Sequence, residues 1–175
     1  MPQLIKDGAI VDDRWTLLRE ATSLADVPRA NAAIVPLALW LPTRETLRAR
    51  ADIGVWLKPS DDPDLLAGDC AALPLIAIDF PQFTDGRGYS IARLLRERHG
   101  FSGELRAIGD VLRDQLSYLR QCGFNAFAVR ADRNLEDALK GLSDFNDNYQ
   151  ATWARPVPLF RRRATESSPP AANQP

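Results

Sequence analysis

The sequence predicts an α/β domain in which about five βα units form a parallel sheet, either partial-barrel-like or open and doubly wound, preceded by an N-terminal β-hairpin. Three observations carry that prediction. From about Val35, short apolar runs alternate with amphipathic stretches, the pattern of repeated βα units. Near the start, Asp7-Gly8 separates two β-prone runs, and an Asp-Gly pair suits the tight primed turn of a hairpin. The composition, 45% hydrophobic and 26% charged over 175 residues, is that of a globular domain large enough to bury its own core. One domain is expected over 1–160. The remainder, 161–175, reads as a disordered tail, basic at Arg161-Arg162-Arg163 and then rich in Ser, Pro and Ala.

Taken in order, Leu4-Ile5-Lys6 and Ala9-Ile10-Val11 form the hairpin, a lid or an edge ribbon, with Trp15 folding back onto the core. Leu37-Ala38-Leu39-Trp40-Leu41 reads as a strand, followed by a helix capped by Thr43. Gly54-Val55-Trp56-Leu57 is a second strand, and Asp62 before Pro63 opens a short helix. Leu75 to Phe80 is a buried strand that ends on a carboxylate and an aromatic. Ile91, Leu94, Leu95 and Arg98 mark a helix capped by Ser90 and stopped by Gly100. Leu105 to Ile108 is a weaker strand, after which Asp110 is expected to cap a helix through Leu112, Leu116 and Leu119 to Gly123. Phe124 to Val129 is the last strand, and Asn134 caps a helix running to Gly141.

Charge and motifs exclude several function classes. Twenty-two Lys and Arg against 23 Asp and Glu leave a net charge of -1, which argues against a nucleic-acid binder. The run Arg161–Arg163 reads as solvated rather than as a phosphate or membrane contact. The first residues lack the basic and apolar regions of a signal peptide, and the longest apolar stretch, Ala32 to Leu41, is broken by Pro36, so a cytoplasmic protein without membrane spans is expected. Cys70 and Cys122 form no C-x-x-C pair, no metal site is expected, and both read as small buried hydrophobes. His99, before Gly100, reads as a helix-end residue rather than a catalytic one, and no Ser–His–Asp arrangement or P-loop is present.

Ligands of parallel sheets bind at the carboxyl ends of the strands, so the polar residues there are the candidate site. Asp79, Asp85, Arg87, Arg106, Asp110 and Arg130 are expected on that rim. Arginine can hold a carboxylate, sulfate or phosphate through its planar fork, which makes Arg87 and Arg106 candidate anion clamps. Asp79 and Asp110 are the candidate acid–base residues. Mutual ion pairs and helix caps are the structural alternative for the whole set. Asp85-Gly86-Arg87-Gly88-Tyr89-Ser90 fails the dinucleotide fingerprint because Ile91 stands where the third glycine belongs, although its glycines allow a close backbone approach. Asp110 and Asp114, four apart, suit acid–base work or a divalent cation, or else a capping residue with a first-turn acid, and Glu104 and Gln115 join them by proximity.

The stretch from Asp85-Gly86-Arg87-Gly88-Tyr89-Ser90 through Gly103-Glu104-Leu105-Arg106-Ala107-Ile108-Gly109-Asp110 to Asp114-Gln115 closely resembles the bacterial family catalogued as domain of unknown function 934. The resemblance extends from the opening hairpin to the Asp144-Phe145-Asn146 region and Tyr149-Gln150. It implies an association with assimilatory sulfite reduction, and so an accessory protein acting with sulfite reductase. The family motif falls on Asp85, Gly86, Arg87, Gly88, Ser90, Glu104, Arg106, Gly109, Asp110, Asp114 and Gln115, which overlaps the rim reached from the residues alone. The chain shows no flavin, siroheme or iron–sulfur motif, so no cofactor is expected. A small oxyanion and the reductase are the expected partners. An enzyme acting on a small anionic substrate and a purely structural subunit are the rival readings.

Overall fold

A computed structural model of the chain describes residues 1–143 together with Trp153 and Arg161. The chain opens with the expected hairpin, β1 (Gln3–Lys6) and β2 (Ala9–Asp12), paired antiparallel. Its turn needs two left-handed residues in succession, and Asp7 and Gly8 supply them at φ 50° and 81°. The hairpin is an edge ribbon, because β1 pairs antiparallel with the last strand of the sheet. Trp15 packs against the sheet, as expected, beside β3 (Thr16–Leu17).

The next unit differs from the sequence reading. The strand is β4 (Ala33–Pro36), and Leu37–Leu41 is the start of helix α1 (Leu37–Leu47). Apolar runs of this length do not separate strand from buried helix, and here Leu37, Trp40 and Leu47 are buried at helical spacing. Thr43 therefore lies inside the helix and does not cap it; its hydroxyl donates to the Leu39 carbonyl at 2.6 Å. The strand β5 (Ile53–Leu57) and the turn of 3-10 helix over Pro63–Leu66 follow as expected, with the Asp62 carboxylate accepting from the Asp64 N–H at 2.9 Å.

All six residues of β6 (Leu75–Phe80) are buried, which is why the strand reads as a nearly unbroken apolar run. Helix α2 (Arg87–Glu97) starts at Gly86, so Ser90 sits within the helix, exposed, and caps nothing. Strand β7 (Glu104–Gly109) leads to a 3-10 turn at Arg113–Gln115 and then to α3 (Leu116–Gln121). Asp110 does not cap that helix; its carboxylate accepts from the Phe83 N–H across the loop at 2.9 Å. Strand β8 is confined to Ala126–Phe127, shorter than the expected Phe124–Val129. Helix α4 (Leu135–Lys140) is capped by Asn134, whose side chain accepts from the Asp137 N–H at 2.9 Å.

The sheet order is β2-β1-β8-β7-β6-β5-β4-β3, with β3 to β8 parallel and only the hairpin antiparallel. Parallel strands therefore follow one another in chain order with no reversal. Every described helix packs on the same face: Trp40, Ile91, Leu95, Leu116, Leu119 and Ala138 share one core with Val55, Ile76 and Ile78. A smaller cluster, Ile34, Trp56, Leu75, Ala77 and Ile108, fills the other face. A doubly wound sheet needs helices on both faces and a switch in strand order. The fold is instead a curled half-barrel whose concave face carries none of the described helices.

Buried polar groups tie this shell together. Arg96 donates to the carbonyls of Gly123 at 2.9 Å and Gly103 at 3.0 Å, closing α2 onto the loops that enter β7 and β8. Burial pulls its guanidinium down to about 10. His99 holds Asp64 at 2.8 Å, linking the end of α2 to the turn after β5, and Cys70 and Cys122 are buried thiols. The aromatic region after Asp144 and the expected 161–175 tail lie outside the described residues, apart from Trp153 and an exposed Arg161. No helix among the described residues is long and apolar enough to cross a membrane.

Candidate active site at the strand ends

Side chains alternate across a strand, so every second residue faces the concave side, and the parallel register stacks these residues in layers. Trp56, Ala77 and Arg106 are neighbours in one layer, because Trp56 pairs with Ala77 and Ala77 with Arg106. The next layer toward the carboxyl ends holds Asp79 and Ile108, which are paired, and Lys58, which follows the Leu57–Ile78 pair by one residue. Pro81, Asp110 and Arg130 lie beyond the strand ends.

Asp79 stands at the centre of this rim with 7% of its surface exposed. Its Oδ1 accepts from Arg19 Nη2 at 2.9 Å. Gly109, at φ 95°, brings the β7 backbone against the same carboxylate; a Cβ there would stand 2.8 Å from Asp79 Oδ1 and would also run into the Phe80 carbonyl oxygen. Asp110 Oδ1 accepts from Arg130 Nη1 at 2.8 Å, while Arg130 also grips Asp132 through Nε at 2.7 Å and Nη2 at 3.0 Å. Those two carboxylates, Asp132 first, hold the Arg130 guanidinium above its ordinary range, and Arg130 holds Asp132 below the usual carboxylate range. Arg19, Asp79, Gly109, Asp110 and Arg130 surround an open depression of about 460 Å³.

The other sequence-predicted residues are distributed elsewhere. Asp85 and Arg87 form a bidentate pair, 3.0 Å at Nε and 2.7 Å at Nη2, which keeps Asp85 below the usual carboxylate range. Gly88 packs α2 onto β6, since a Cβ would come 2.6 Å from the Phe80 ring, whereas Gly86 meets no such crowding. The close approach is thus to an aromatic side chain. Gln115 is buried, accepts from the Leu112 N–H at 2.9 Å and donates weakly to Tyr89 and the Phe83 carbonyl, so it braces the loops. Asp114 is exposed in a separate depression with Asp132 and Asp137, and it does not share a helix face with Asp110.

Arg106 and Glu104 are not on the rim. They occupy the amino-terminal half of β7, two layers and more below Asp110, because the strand runs on to Gly109. Arg106 donates from Nε to Glu104 at 2.7 Å and from Nη1 to both Asp13 oxygens at 3.0 and 2.9 Å, while Lys6 binds Glu104 at 2.7 Å. With its fork filled by carboxylates, Arg106 clasps the hairpin exit rather than clamping an anion.

Sequence reasoning missed Arg19, Lys6 and Asp13, which act from 60 to 98 positions away from their partners. Only the exit of the hairpin, charged at Asp12-Asp13-Arg14, hinted at them. Among the described residues no group of three or more His, Cys, Asp and Glu is placed to hold a metal ion.

The profile of the family described as "Bacterial protein of unknown function (DUF934)" matches residues 54–160. The chain belongs to this family. The matched span starts inside β5, so it contains Asp79, Asp110 and Arg130 but neither the hairpin nor Arg19, and it is shorter than the resemblance expected from the hairpin onward. No curated protein and no solved structure matches the chain at a significant level.

Proposed function

We propose that the chain is an accessory protein of assimilatory sulfite reduction, acting with sulfite reductase through the rim at the carboxyl ends of β6 and β7. The association comes from the family resemblance. The observation that supports it is the half-exposed Arg19, which spends only one of its nitrogens on Asp79 at the edge of an open depression of about 460 Å³ lined also by Asp110. That volume is in the range of small-ligand sites, and guanidinium forks suit the oxyanion on which such a reductase works. On this reading the protein is a cytoplasmic, oxidoreductase-associated component of sulfur assimilation that engages neither nucleic acid nor a membrane.

An in-frame deletion strain tests the reading through growth on single sulfur sources. Growth on sulfide and cysteine but not on sulfate or sulfite, restored by the wild-type gene, is the expected result; equal growth on all four refutes it. A second reading keeps the rim as the active site of an enzyme acting on a small anion, with Asp79 as its acid–base residue. It is favoured by one feature, a largely buried carboxylate at the end of the central strand beside an arginine. Turnover abolished by Asp79→Asn would then accompany the growth defect.

A further inference from the structure

We infer that Arg19 and Lys58 together receive a small oxyanion beside the indole of Trp56 and Asp79. The inference rests on the proposed rim and names the ligand chemistry it takes. Trp56 is buried in the concave face, its Nε1 donating to the Leu18 carbonyl at 3.2 Å, which also fixes the start of the segment carrying Arg19. The Arg19 guanidinium lies 5.6 Å and the Lys58 ammonium 6.0 Å from the centre of that one ring. Lys58 follows Trp56 by two residues on the same face and is level with Asp79, to which Arg19 is bonded.

Neither cation is saturated. Among the described residues Arg19 spends only Nη2 on a carboxylate, leaving Nε and Nη1, and the Lys58 ammonium has the ring as its sole partner. The nearby Asp61 carboxylate accepts from the Lys58 backbone N–H at 2.8 Å. This distinguishes the pair from Arg87, Arg106 and Arg130, whose forks are filled by carboxylates. Two cations against the single Asp79 leave one net positive charge, and the aromatic floor holds both in place while excluding water from one side. One negative charge on the ligand balances the cluster once Arg19 has answered Asp79.

The test is calorimetric titration of the full chain with sulfite, sulfate and inorganic phosphate at constant ionic strength. Saturable binding of at least one of them is expected, weakened about tenfold or more by Arg19→Gln and by Lys58→Gln, each of which removes charge-assisted hydrogen bonds. Arg93→Gln, on the outer surface of α2 and paired with Glu97, is expected to change nothing. No binding of any of the three by the wild type overturns the inference. So does undiminished binding by Lys58→Gln, a variant that disturbs no ion pair and keeps the test sound if Arg19→Gln unfolds. Binding of phosphate or sulfate without sulfite leaves the site standing and counts against the sulfite-reduction reading. A deletion strain that grows normally overturns that reading alone.

Discussion

Replacing Arg106 separates a structural clasp from a ligand-binding residue. The side chain is 3% exposed and holds Glu104 and Asp13, so removing it strands two carboxylates in a largely buried setting. Loss of one partner from a buried ion pair costs about 3–5 kcal/mol. Glu104 keeps its contact with Lys6 at 2.7 Å, which places Arg106→Met near the lower end, about 3 kcal/mol. Methionine retains the apolar stem, so the loss reports the charge rather than a cavity. For a domain of this size, that loss lowers Tm by about 6–12 °C. Urea and thermal unfolding measure it directly. Adding Glu104→Gln to Arg106→Met is expected to recover part of the loss, because one of the two stranded charges is neutralised. A loss below about 1 kcal/mol refutes the clasp. Weakened oxyanion binding at unchanged stability would show that Arg106 serves the rim after all.

Gly109→Ala forces a Cβ against the Phe80 carbonyl and the Asp79 carboxylate at a left-handed position, and is expected to cost about 2 kcal/mol or more in urea unfolding and to disturb oxyanion binding. Retained stability and binding would show that the β7 backbone can move away. Asp69 is 1% exposed, accepts from Trp40 Nε1 at 2.9 Å and lies near Arg44 and Arg48, so Asp69→Ala is expected to lose about 3 kcal/mol in unfolding while leaving the rim intact. The hydrogen bond from Arg50 holds Asp52 below the usual carboxylate range. Its folded pKa is thus lower than its unfolded one, the unfolded state takes up the proton first, and the stabilisation is present above about pH 4 and lost as pH falls through the folded value. Tm is therefore expected to fall less steeply on acidification in Asp52→Asn than in the wild type, and parallel curves would contradict the pairing.

The parts of the fold legible in the sequence are those that local chemistry dictates. Asp7-Gly8 announced the hairpin because few residues accept left-handed angles, and Leu75 to Phe80 announced its strand because both faces are buried. Asn134 announced a helix start through its cap. Where the same apolar run satisfies two structures, as at Leu37–Leu41, the sequence left strand and helix undivided. Asp110 looked like a cap because it precedes an amphipathic stretch, but its carboxylate is used by the Phe83 amide on a different loop.

Sequence alone determined the alternation of strands and helices, the hairpin, the family and the presence of Asp79, Asp110 and Arg130 at strand ends. Tertiary structure decided which of the two α/β architectures forms, since strand order and the choice of sheet face depend on contacts between distant segments. It also decided the partners of the charges. Register, not spacing, sends Arg106 below the rim and brings Lys58 level with Asp79, and the path of the chain after the hairpin carries Arg19 across 60 positions to the same carboxylate. Ion pairing acts through space between side chains whose separation along the chain encodes nothing about it, so only the folded backbone could name those partners.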